Sequence, residues 1–557
     1  MFAKNRIGFM PGLYVAFLEE LSSDDKKHFS DLTDEKERAD YVLNHPFIKD
    51  KFNHITGLDR KNNQHSVKAR EEGNTAFQSG NFKLSLVKYS VAVCQADQST
   101  QEYGLALANR SAALQRLKHF NKGVEDVDRA VAAGYPQDKL FKLLERKGQM
   151  LVELRRYSEA KMCFEKAKKL VQLSSLSEAK VEKFKSDIKK NLQKVANKSD
   201  DNVKPAQDSL LKNRIAQVKS PHPLYPALDD SVQIKFTQQQ GRFAVASKDI
   251  PAGTTILVED PLGWTLEAEK FTSNCQHCLC EVTIPVPCST CTAAVFCSDT
   301  CRDDSWSQYH ARECGVQALC VAAALNNFCF LSLRALARMH VSQLLDMDTC
   351  RPDIEHGTTC DDMMIYRSDD IRNGLNLVHH SETVSTDDKI MRTLVSVFLM
   401  RCLKLTRFSE AVITTSDQDL HIAALIHQMI SACPANTHEI HSLVTPTLQR
   451  WSPMAELQEL GAGLYPTAAL FNHSCDPNIV RTNIGRSMIS VTTRTIRAGE
   501  EIHDCYGLPW YSKTRDLRQE ITSKFYKFSC QCPPCSETWV TSDMLASLSA
   551  QVATSSS

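Results

Sequence analysis

The fold of this chain is most easily inferred from the segment Gly463-Leu-Tyr-Pro-Thr-Ala-Ala-Leu-Phe-Asn-His-Ser-Cys-Asp-Pro-Asn478. A second distinctive segment follows it, Ile496-Arg-Ala-Gly-Glu-Glu-Ile-His-Asp-Cys-Tyr-Gly507. Three cysteines come next with the spacing C-x-C-x2-C, at Cys530, Cys532 and Cys535. Three ligands can form an open catalytic zinc site, whereas a structural site needs four. Cys475 is the best candidate for the fourth ligand, which predicts a zinc site that ties the first segment to the last.

Eight further metal-ligating side chains lie close together upstream. They form the pairs Cys275 and Cys278, Cys288 and Cys291, Cys297 and Cys301, and His310 and Cys314. Each pair can occupy one edge of a tetrahedron, so eight ligands predict two closed, structural Zn²⁺ sites. We expect the pairs to alternate between the ions: Cys275, Cys278, Cys297 and Cys301 on one, and Cys288, Cys291, His310 and Cys314 on the other. Cys280 is interpreted as a bystander.

A repeat runs through residues 66–172. Four positions recur with a step of 38 and then of 37 residues: Phe82, Phe120 and Tyr157; Ser85, Gly123 and Ala160; Tyr89, Val127 and Phe164; and Ala92, Ala130 and Ala167. The apolar spacing is helical, and the small residues suit positions where two helices cross closely. The pattern therefore predicts three stacked helical hairpins, an arrangement typical of protein-docking surfaces. Three unrelated amphipathic hairpins are the alternative.

The segments around the repeat carry weaker signals. Residues 1–65 begin with a run that half-imitates a signal peptide, but Pro11 interrupts it, so we predict an amphipathic helix. Residues 173–230 form a linker whose first part continues the last repeat helix to about Val195. Between positions 180 and 219 it has eleven Lys or Arg against five Asp or Glu. A solvated tether and a docking strip for an acidic partner or nucleic acid are both consistent with these charges. From residue 231, alternating apolar residues indicate short strands.

The composition limits the possible functions. The 557 residues carry 66 Lys or Arg and 66 Asp or Glu, and a formal net charge of zero argues against nucleic-acid binding through whole-protein charge. With 42% hydrophobic and 24% charged residues, the chain is typical of globular proteins. The sequence contains no apolar run of about 18 residues, so we expect no membrane span. The 21 cysteines, about half of them at metal-ligand spacing, indicate reduced thiols in a cytosolic or nuclear protein.

Together these motifs resemble those of a known family. Asn472-His-Ser-Cys475, then Gly499-Glu-Glu-Ile502 leading to Tyr506, then the cysteines after Phe528, resemble the SET domain and its post-SET zinc segment. The upstream cysteine spacing, with Phe296 before the fifth cysteine, resembles the MYND zinc finger, and the repeat resembles the tetratricopeptide repeat. This plan is similar to that of the SET and MYND domain-containing protein-lysine methyltransferases, and most like their tetratricopeptide-bearing member.

The resemblance implies a multidomain α+β fold: an N-terminal α-solenoid, then a β-rich SET domain split by a MYND finger and closed by a zinc-bound post-SET segment. The implied divisions are an N-terminal helical segment (1–65), repeats (66–172), a basic linker (173–230), the first part of the SET domain (231–274), the finger (275–314), a helical insertion (315–460), the catalytic core (461–510), the post-SET segment (511–540) and a disordered tail (541–557). Three structural Zn²⁺ ions are implied. The segments that carry the Asn-His pair and the tyrosine would cross in a knot-like arrangement.

The same resemblance implies methyl transfer from S-adenosylmethionine to a lysine amine. Tyr506 would orient or polarise the amine and the methyl group, and Tyr526 would line the lysine channel. The implied donor-binding residues are Gln240, Gly241, Arg242, His380 (with His379 as its competitor), Asn472, His473, Tyr506 and Phe528. Glu500 and Glu501 are interpreted as the solvated start of a strand rather than an acid/base pair.

Two features depart from the family pattern. Gln240-Gly-Arg-Phe243 stands where relatives usually have Lys-Gly-Arg-Gly, which predicts bulk near the donor site. The chain ends 22 residues after Cys535, where relatives typically continue into a helical domain, so we expect an open cleft or a shortened isoform.

The main hypothesis is therefore a methyltransferase for histone and/or non-histone lysines. It would be a monomer in the cytoplasm and/or nucleus, with no membrane attachment and with protein or peptide partners on its repeats and finger. The alternative is a weakly active or inactive scaffold or transcriptional co-regulator. Direct nucleic-acid binding has the least support.

Overall fold

The computed structural model describes residues 9–52, 55, 58–200, 218–347, 365–409, 415–444 and 456–541. The chain divides into two compact units. The first unit contains Met1–Leu58, Asn213–Lys270 and Ser305–Ser557, and the second contains Asp59–Lys212 and Phe271–Asp304. The predicted tail after residue 541 and the linker at 201–217 lie outside the described residues.

Four short helices come first in the first unit: α1 (Phe9–Glu20), α2 (Ser23–Asp31), α3 (Glu35–Asn44) and α4 (Pro46–Phe52). Side-chain caps fix where two of them begin. Ser22 Oγ accepts a hydrogen bond from Asp25 N at 3.1 Å, and an Asp34 carboxylate oxygen accepts one from Lys36 N at 2.7 Å. Within the described residues, no helix is long and apolar enough to cross a membrane.

The second unit is built mainly from the helices α5 (Asn63–Gln78), α6 (Phe82–Gln95), α7 (Gln101–Arg116), α8 (Phe120–Ala132), α9 (Leu140–Glu153), α10 (Tyr157–Leu170) and α11 (Glu178–Val195). α5 packs with α6, α7 with α8, and α9 with α10, which confirms the three predicted hairpins. At Gly123 the helices approach so closely that an added Cβ would lie 2.5 Å from Met150 Sδ. The linker does not continue α10, because a short turn at Val171–Leu173 separates it from α11.

The strands are β1 (Val232–Thr237), β2 (Gly241–Ala246), β3 (Thr255–Glu259), β4 (Gly263–Leu266), β5 (Val286–Pro287), β6 (Val295–Phe296), β7 (Thr437–Val444), β8 (Glu456–Leu464), β9 (Asn472–His473), β10 (Ile479–Ile484), β11 (Ser487–Thr492) and β12 (His503–Asp504). They pair in small sheets with the orders β1-β2, β10-β11-β3, β4-β8-β7, β12-β9 and β5-β6. The β12–β9 pair is parallel, whereas the others are antiparallel. The β5–β6 pair belongs to the second unit and the rest to the first.

The later helices are α12 (Asp299–Ser305), α13 (Ala311–Glu313), α14 (Val316–Ala322), α15 (Asn327–Ala337), α16 (Val341–Leu345), α17 (Ile371–Leu375), α18 (Thr386–Lys404), α19 (Ser416–Asn436), α20 (Arg515–Phe525) and α21 (Pro533–Ser536). α18 and α19 are largely buried and pack against each other and against α3. α15 packs on β4, so this helical layer supports the sheets of the first unit.

Candidate active site

Two segments that lie far apart in the sequence form the framework of the site in the first unit. β9 pairs with β12 so that Asn472 lies opposite His503 and His473 lies opposite Asp504. Ser474 N donates a hydrogen bond to Asp504 O at 2.8 Å and extends the pairing. The pairing brings the predicted Asn-His segment next to the backbone that leads into the predicted catalytic tyrosine.

Tyr506 is held at both its backbone and its phenol. Its N–H donates to His473 Nδ1 at 3.1 Å, and its hydroxyl donates to Phe471 O at 2.9 Å. The ring of Tyr526, the predicted channel residue, lies 4.8 Å away between centroids. Burial raises the pKa of Tyr506, and burial also raises the pKa of Tyr526. The site therefore contains two neighbouring neutral phenols near physiological pH.

His473 connects this tyrosine with the cysteine cluster. Because its Nδ1 accepts the Tyr506 N–H bond, its proton is assigned to Nε2, which lies 3.3 Å from Cys475 Sγ. Burial lowers the pKa of His473 to about 4, so the ring is neutral near pH 7. The Phe528 ring lies 6.2 Å from the His473 ring between centroids and is 36% exposed. Its free face is available to a planar ligand.

Glu501 joins three elements of the site. Its carboxylate accepts hydrogen bonds from Gln240 Nε2 at 3.2 Å and Asn472 Nδ2 at 3.4 Å, and it lies 3.4 Å from His503 Nε2. The sequence interpretation of this residue as part of a solvated strand start missed that role. Glu500, in contrast, pairs at the surface with Arg494.

Two further donor-binding candidates are Arg242 and His380. Arg242 Nη2 donates to Asn376 O at 2.9 Å, which ties β2 to the segment that ends at His380. His380 has a left-handed backbone with φ 47°. Burial, opposed by Glu382 and reinforced by Lys527, lowers the pKa of its ring. Lys527, whose charge acts on the His380 ring, directly precedes Phe528 in the chain.

Three further observations concern His379, the alternative to His380, and the residues Phe243 and Gly241 of the first SET segment. The His379 side chain is engaged locally, because its Nδ1 bonds with the Ser381 hydroxyl and accepts from Ser381 N. Phe243, expected to add bulk near the donor, is buried within β2 at 8% exposure. Gly241 has φ 66°, and a Cβ added there would meet no atom within 4 Å. The left-handed backbone at this position favours glycine, and the space beside the residue is open.

These residues fit the donor group that the family resemblance implies. S-adenosylmethionine has a planar base, a polar sugar and a charged amino-acid end. The candidate residues offer an exposed aromatic face at Phe528, polar side chains at Asn472 and Gln240, and open space beside Gly241. An apolar surface next to a few placed polar groups is the usual composition of a cofactor site.

Three groups of candidate metal ligands occur among the described residues, and the ligand atoms of each group lie within 4.8 Å of one another. The groups are Cys275, Cys278, Cys297 and Cys301; Cys288, Cys291, His310 and Cys314; and Cys475, Cys530, Cys532 and Cys535. Thiolates with imidazole in sets of four are the donors that structural zinc prefers. Cys280 Sγ lies only 3.4 Å from Cys278 Sγ, so the predicted bystander sits at the edge of the first group.

The third group is supported by further polar contacts. Cys475 Sγ lies 3.6 Å from Cys535 Sγ and 4.0 Å from Cys530 Sγ. Cys475 N donates toward Cys532 Sγ at 3.5 Å, and Arg518 Nη2 donates toward Cys535 Sγ at 3.6 Å. Donors that face thiolates stabilise their charge and orient them. The donor set therefore fits zinc.

The comparisons with known proteins agree with this geometry. The family model for the SET domain matches residues 241–507. Human "Protein-lysine N-methyltransferase SMYD4" is 25% identical, over 84% of this chain and 66% of that protein. The chicken protein of the same name is 26% identical, over 79% of this chain and 67% of its own. Human "Histone-lysine N-methyltransferase SMYD3" is 27% identical, over 56% of this chain and 62% of that protein. The chain thus spans about two thirds of the length of its SMYD4 relatives.

Two matches to solved structures each cover about a quarter of this chain. The Arabidopsis OM64 TPR domain is 23% identical and has a TM-score of 0.20, with 24% of this chain and 96% of that chain covered. The N-terminal domain of stress-induced protein-1 from C. elegans is 18% identical with a TM-score of 0.20, and the match covers 23% of this chain and 95% of that chain.

Proposed function

We propose that this chain, a SET-domain protein of the SMYD family that resembles SMYD4, is an S-adenosylmethionine-dependent protein-lysine N-methyltransferase for histone and/or non-histone proteins. The observation that carries the proposal is the phenol of Tyr506, held against Phe471 O beside Tyr526 and next to the connected donor-binding candidates. A monomeric enzyme in the cytoplasm and/or nucleus is part of the same proposal.

The main chemical task of such a site is to obtain a neutral amine. A lysine with a reference pKa of about 10.4 costs roughly 4–5 kcal/mol to deprotonate at pH 7. The aromatic rings of Tyr506 and Tyr526 form a wall that removes water from the amine and favours its neutral form. When bound, the donor supplies an electrophilic methyl group on a sulfonium. The donor-binding candidates fix the position of the bound donor so that the amine and the methyl group meet in line.

Tyr506 orients the amine through its oxygen. Because the hydroxyl proton is directed to Phe471 O, the lone pairs of the phenol oxygen are free to accept a hydrogen bond from the substrate amine. Since burial raises the pKa of Tyr506, the group accepts without becoming a competing anion. The backbone bond to His473 keeps this geometry in register with the Asn-His pair.

The cysteine groups serve as structural junctions in this proposal. Cys475, Cys530, Cys532 and Cys535 would hold one Zn²⁺, and the two upstream groups would hold one each. Zinc, when bound, supplies a rigid tetrahedral junction. Through Cys475 the third group fixes the end of β9, and through Cys530 it fixes the segment that carries Phe528.

The test is methyl transfer from labelled donor to histones and to a protein extract, with donor affinity measured by calorimetry. Tyr506→Phe is expected to lower the transfer rate about 100-fold or more while donor affinity changes little. Tyr511→Phe is the matched control, because that tyrosine is 54% exposed and is not part of the site. Equal transfer by Tyr506→Phe would contradict the assigned role, and absence of donor binding by the wild-type chain would favour the scaffold alternative.

We further propose that the second unit docks segments of partner proteins. Its first hairpin helices, α5, α7 and α9, contact one another in turn. A row of polar side chains crosses them: Tyr89 OH and Asn109 Nδ2 both donate to Asn74 Oδ1, at 2.9 and 2.8 Å. Arg146 in α9 donates to Ala108 O and Ser111 Oγ of α7 and forms no ion pair with a described residue. A desolvated cation beside amides favours an acidic peptide as the partner.

A further inference from the structure

Arg481 in β10 makes two contacts with the backbone segment that leads into Tyr506. Its Nε lies 3.1 Å from Asp504 Oδ2, and its Nη2 donates to Cys505 O at 3.1 Å. Asp504 Oδ1 in turn accepts from Cys505 N at 2.7 Å. One planar guanidinium therefore holds the side chain of one residue and the carbonyl of the next.

The pair is half-buried, and its carboxylate is the more deeply buried member. The side chain of Asp504 is 5% exposed and that of Arg481 is 27% exposed. Burial raises the pKa of the Asp504 carboxyl, and Arg481 opposes that shift. Because desolvation offsets most of the attraction in a buried ion pair, such a pair is weak evidence for a stabilising role. Its contribution is better sought in the geometry that it fixes.

The geometry it fixes is that of the catalytic candidate. Asp504 lies in β12, whose carbonyl accepts from Ser474 N, and Tyr506 follows two residues later. A rotation of the backbone at Cys505 would move both the Tyr506 N–H bond to His473 and the phenol bond to Phe471 O. The Arg481 fork opposes that rotation from the side of β10.

We propose that Arg481, through Asp504 and the Cys505 carbonyl, is a positioning residue that sets the orientation of the Tyr506 phenol. The inference rests on the proposed methyltransferase function, because that function gives the Tyr506 phenol its role beside the substrate amine. It names a residue that sequence spacing did not indicate. A lysine at 481 could keep the charge but not both contacts, because only the planar fork presents two parallel donors.

The kinetic test compares Arg481→Met, Arg481→Lys and Asp504→Asn with the wild-type chain. We expect kcat for methyl transfer to fall about 10- to 100-fold in Arg481→Met, with a smaller loss in Arg481→Lys. Donor affinity by calorimetry should fall much less than kcat, because Asn472, Gln240 and Phe528 do not contact Arg481 and only the Tyr506–His473 contact is expected to change. Arg494→Met is the control, since Arg494 pairs with Glu500 at the exposed turn and is expected to leave kcat unchanged.

A thermal unfolding midpoint and a crystal structure separate positioning from general stability. In Arg481→Met at a temperature well below unfolding, the Tyr506 hydroxyl should no longer lie 2.9 Å from Phe471 O. An unchanged phenol position, an unchanged kcat, or a kcat loss that only follows the fraction unfolded would each overturn the inference. If the wild-type chain binds no donor and transfers no methyl, the proposed function fails instead, and the phenol position in the variant still decides whether Arg481 positions it.

Discussion

Two arginines in the helical repeats have opposite surroundings. Arg110 in α7 is fully buried and forms two bonds with Asp126, at 2.6 and 2.8 Å, while its Nη1 donates to Pro285 O at 2.8 Å. Arg146 in α9 donates only to neutral groups, Ala108 O at 2.6 Å and Ser111 Oγ at 2.9 Å. One cation is neutralised inside the unit, and the other has no ion-pair partner among the described residues.

The difference indicates two kinds of role. The Arg110–Asp126 pair lies between the repeats and the cysteine-rich segment of the same unit, so it holds these two parts together. Arg146 loses hydration without an ion pair to a described carboxylate, and burial lowers its pKa against the opposing charges of Tyr135 and Glu145. A cation kept at such a cost indicates a ligand, whereas a paired one indicates structure. Each interpretation can be tested by removing one side chain.

The largest expected effect is that of Arg110→Met. This substitution removes the two bonds of the buried Arg110 and leaves Asp126 only the contact with Arg129 Nη1 at 3.1 Å, so we expect the second unit to lose about 3 kcal/mol of unfolding free energy. Native-state hydrogen exchange of the α7 and α8 amides measures that loss. The double variant Arg110→Met/Asp126→Leu removes both charges and should recover most of the stability. A single variant as stable as the wild type would contradict the structural role.

A smaller loss is expected from Asp59→Ala in the same unit. The Asp59 carboxylate accepts from Thr292 N at 2.6 Å, Thr292 Oγ1 at 2.6 Å and Ala293 N at 2.9 Å, just after Cys291. Hydrogen bonds to a charged group contribute about 1.5–3 kcal/mol, so the loss should lie in that range.

The measurement for Asp59 is hydrogen exchange at Thr292 and Ala293. Asp59→Asn keeps one acceptor oxygen and should fall between wild type and Asp59→Ala. Asp138→Asn is the control, because Asp138 is exposed in a short turn. Faster exchange in the control to the same extent would show that the effect is not specific to the carboxylate at 59.

The parts of the fold that sequence reasoning found depend on local spacing. The step between Tyr89, Val127 and Phe164 gave the three hairpins, and the cysteine spacings gave ligand groups that do converge. The meeting of β9 with β12 followed from the family resemblance rather than from any period in the sequence. The roles assigned to the donor-binding residues and to Tyr506 stay predictions.

The contacts that sequence reasoning missed join residues with no common period. Gln240 and Glu501 are 261 positions apart, and Arg481 lies 24 positions from the carbonyl that it holds. The sequence interpretation treats Glu501 as part of a solvated strand start, in keeping with the usual exposure of glutamate. The available signal was weak: Arg481 is a cation in a short strand whose apolar neighbours suggest burial.

The smallest effect on stability is expected from Arg146→Met, and it should come with the clearest effect on binding. Because the guanidinium is desolvated and lacks an ion-pair partner, its removal should change unfolding free energy by less than about 1 kcal/mol, or increase it. Binding to an array of acidic peptides should fall at least about tenfold, since charge-assisted bonds would be lost. Arg156→Met is the matched control, because Arg156 pairs with Glu159 at the surface. If Arg146→Met instead destabilised the unit as much as Arg110→Met, the two arginines would share one structural role, and the docking proposal would lose its support.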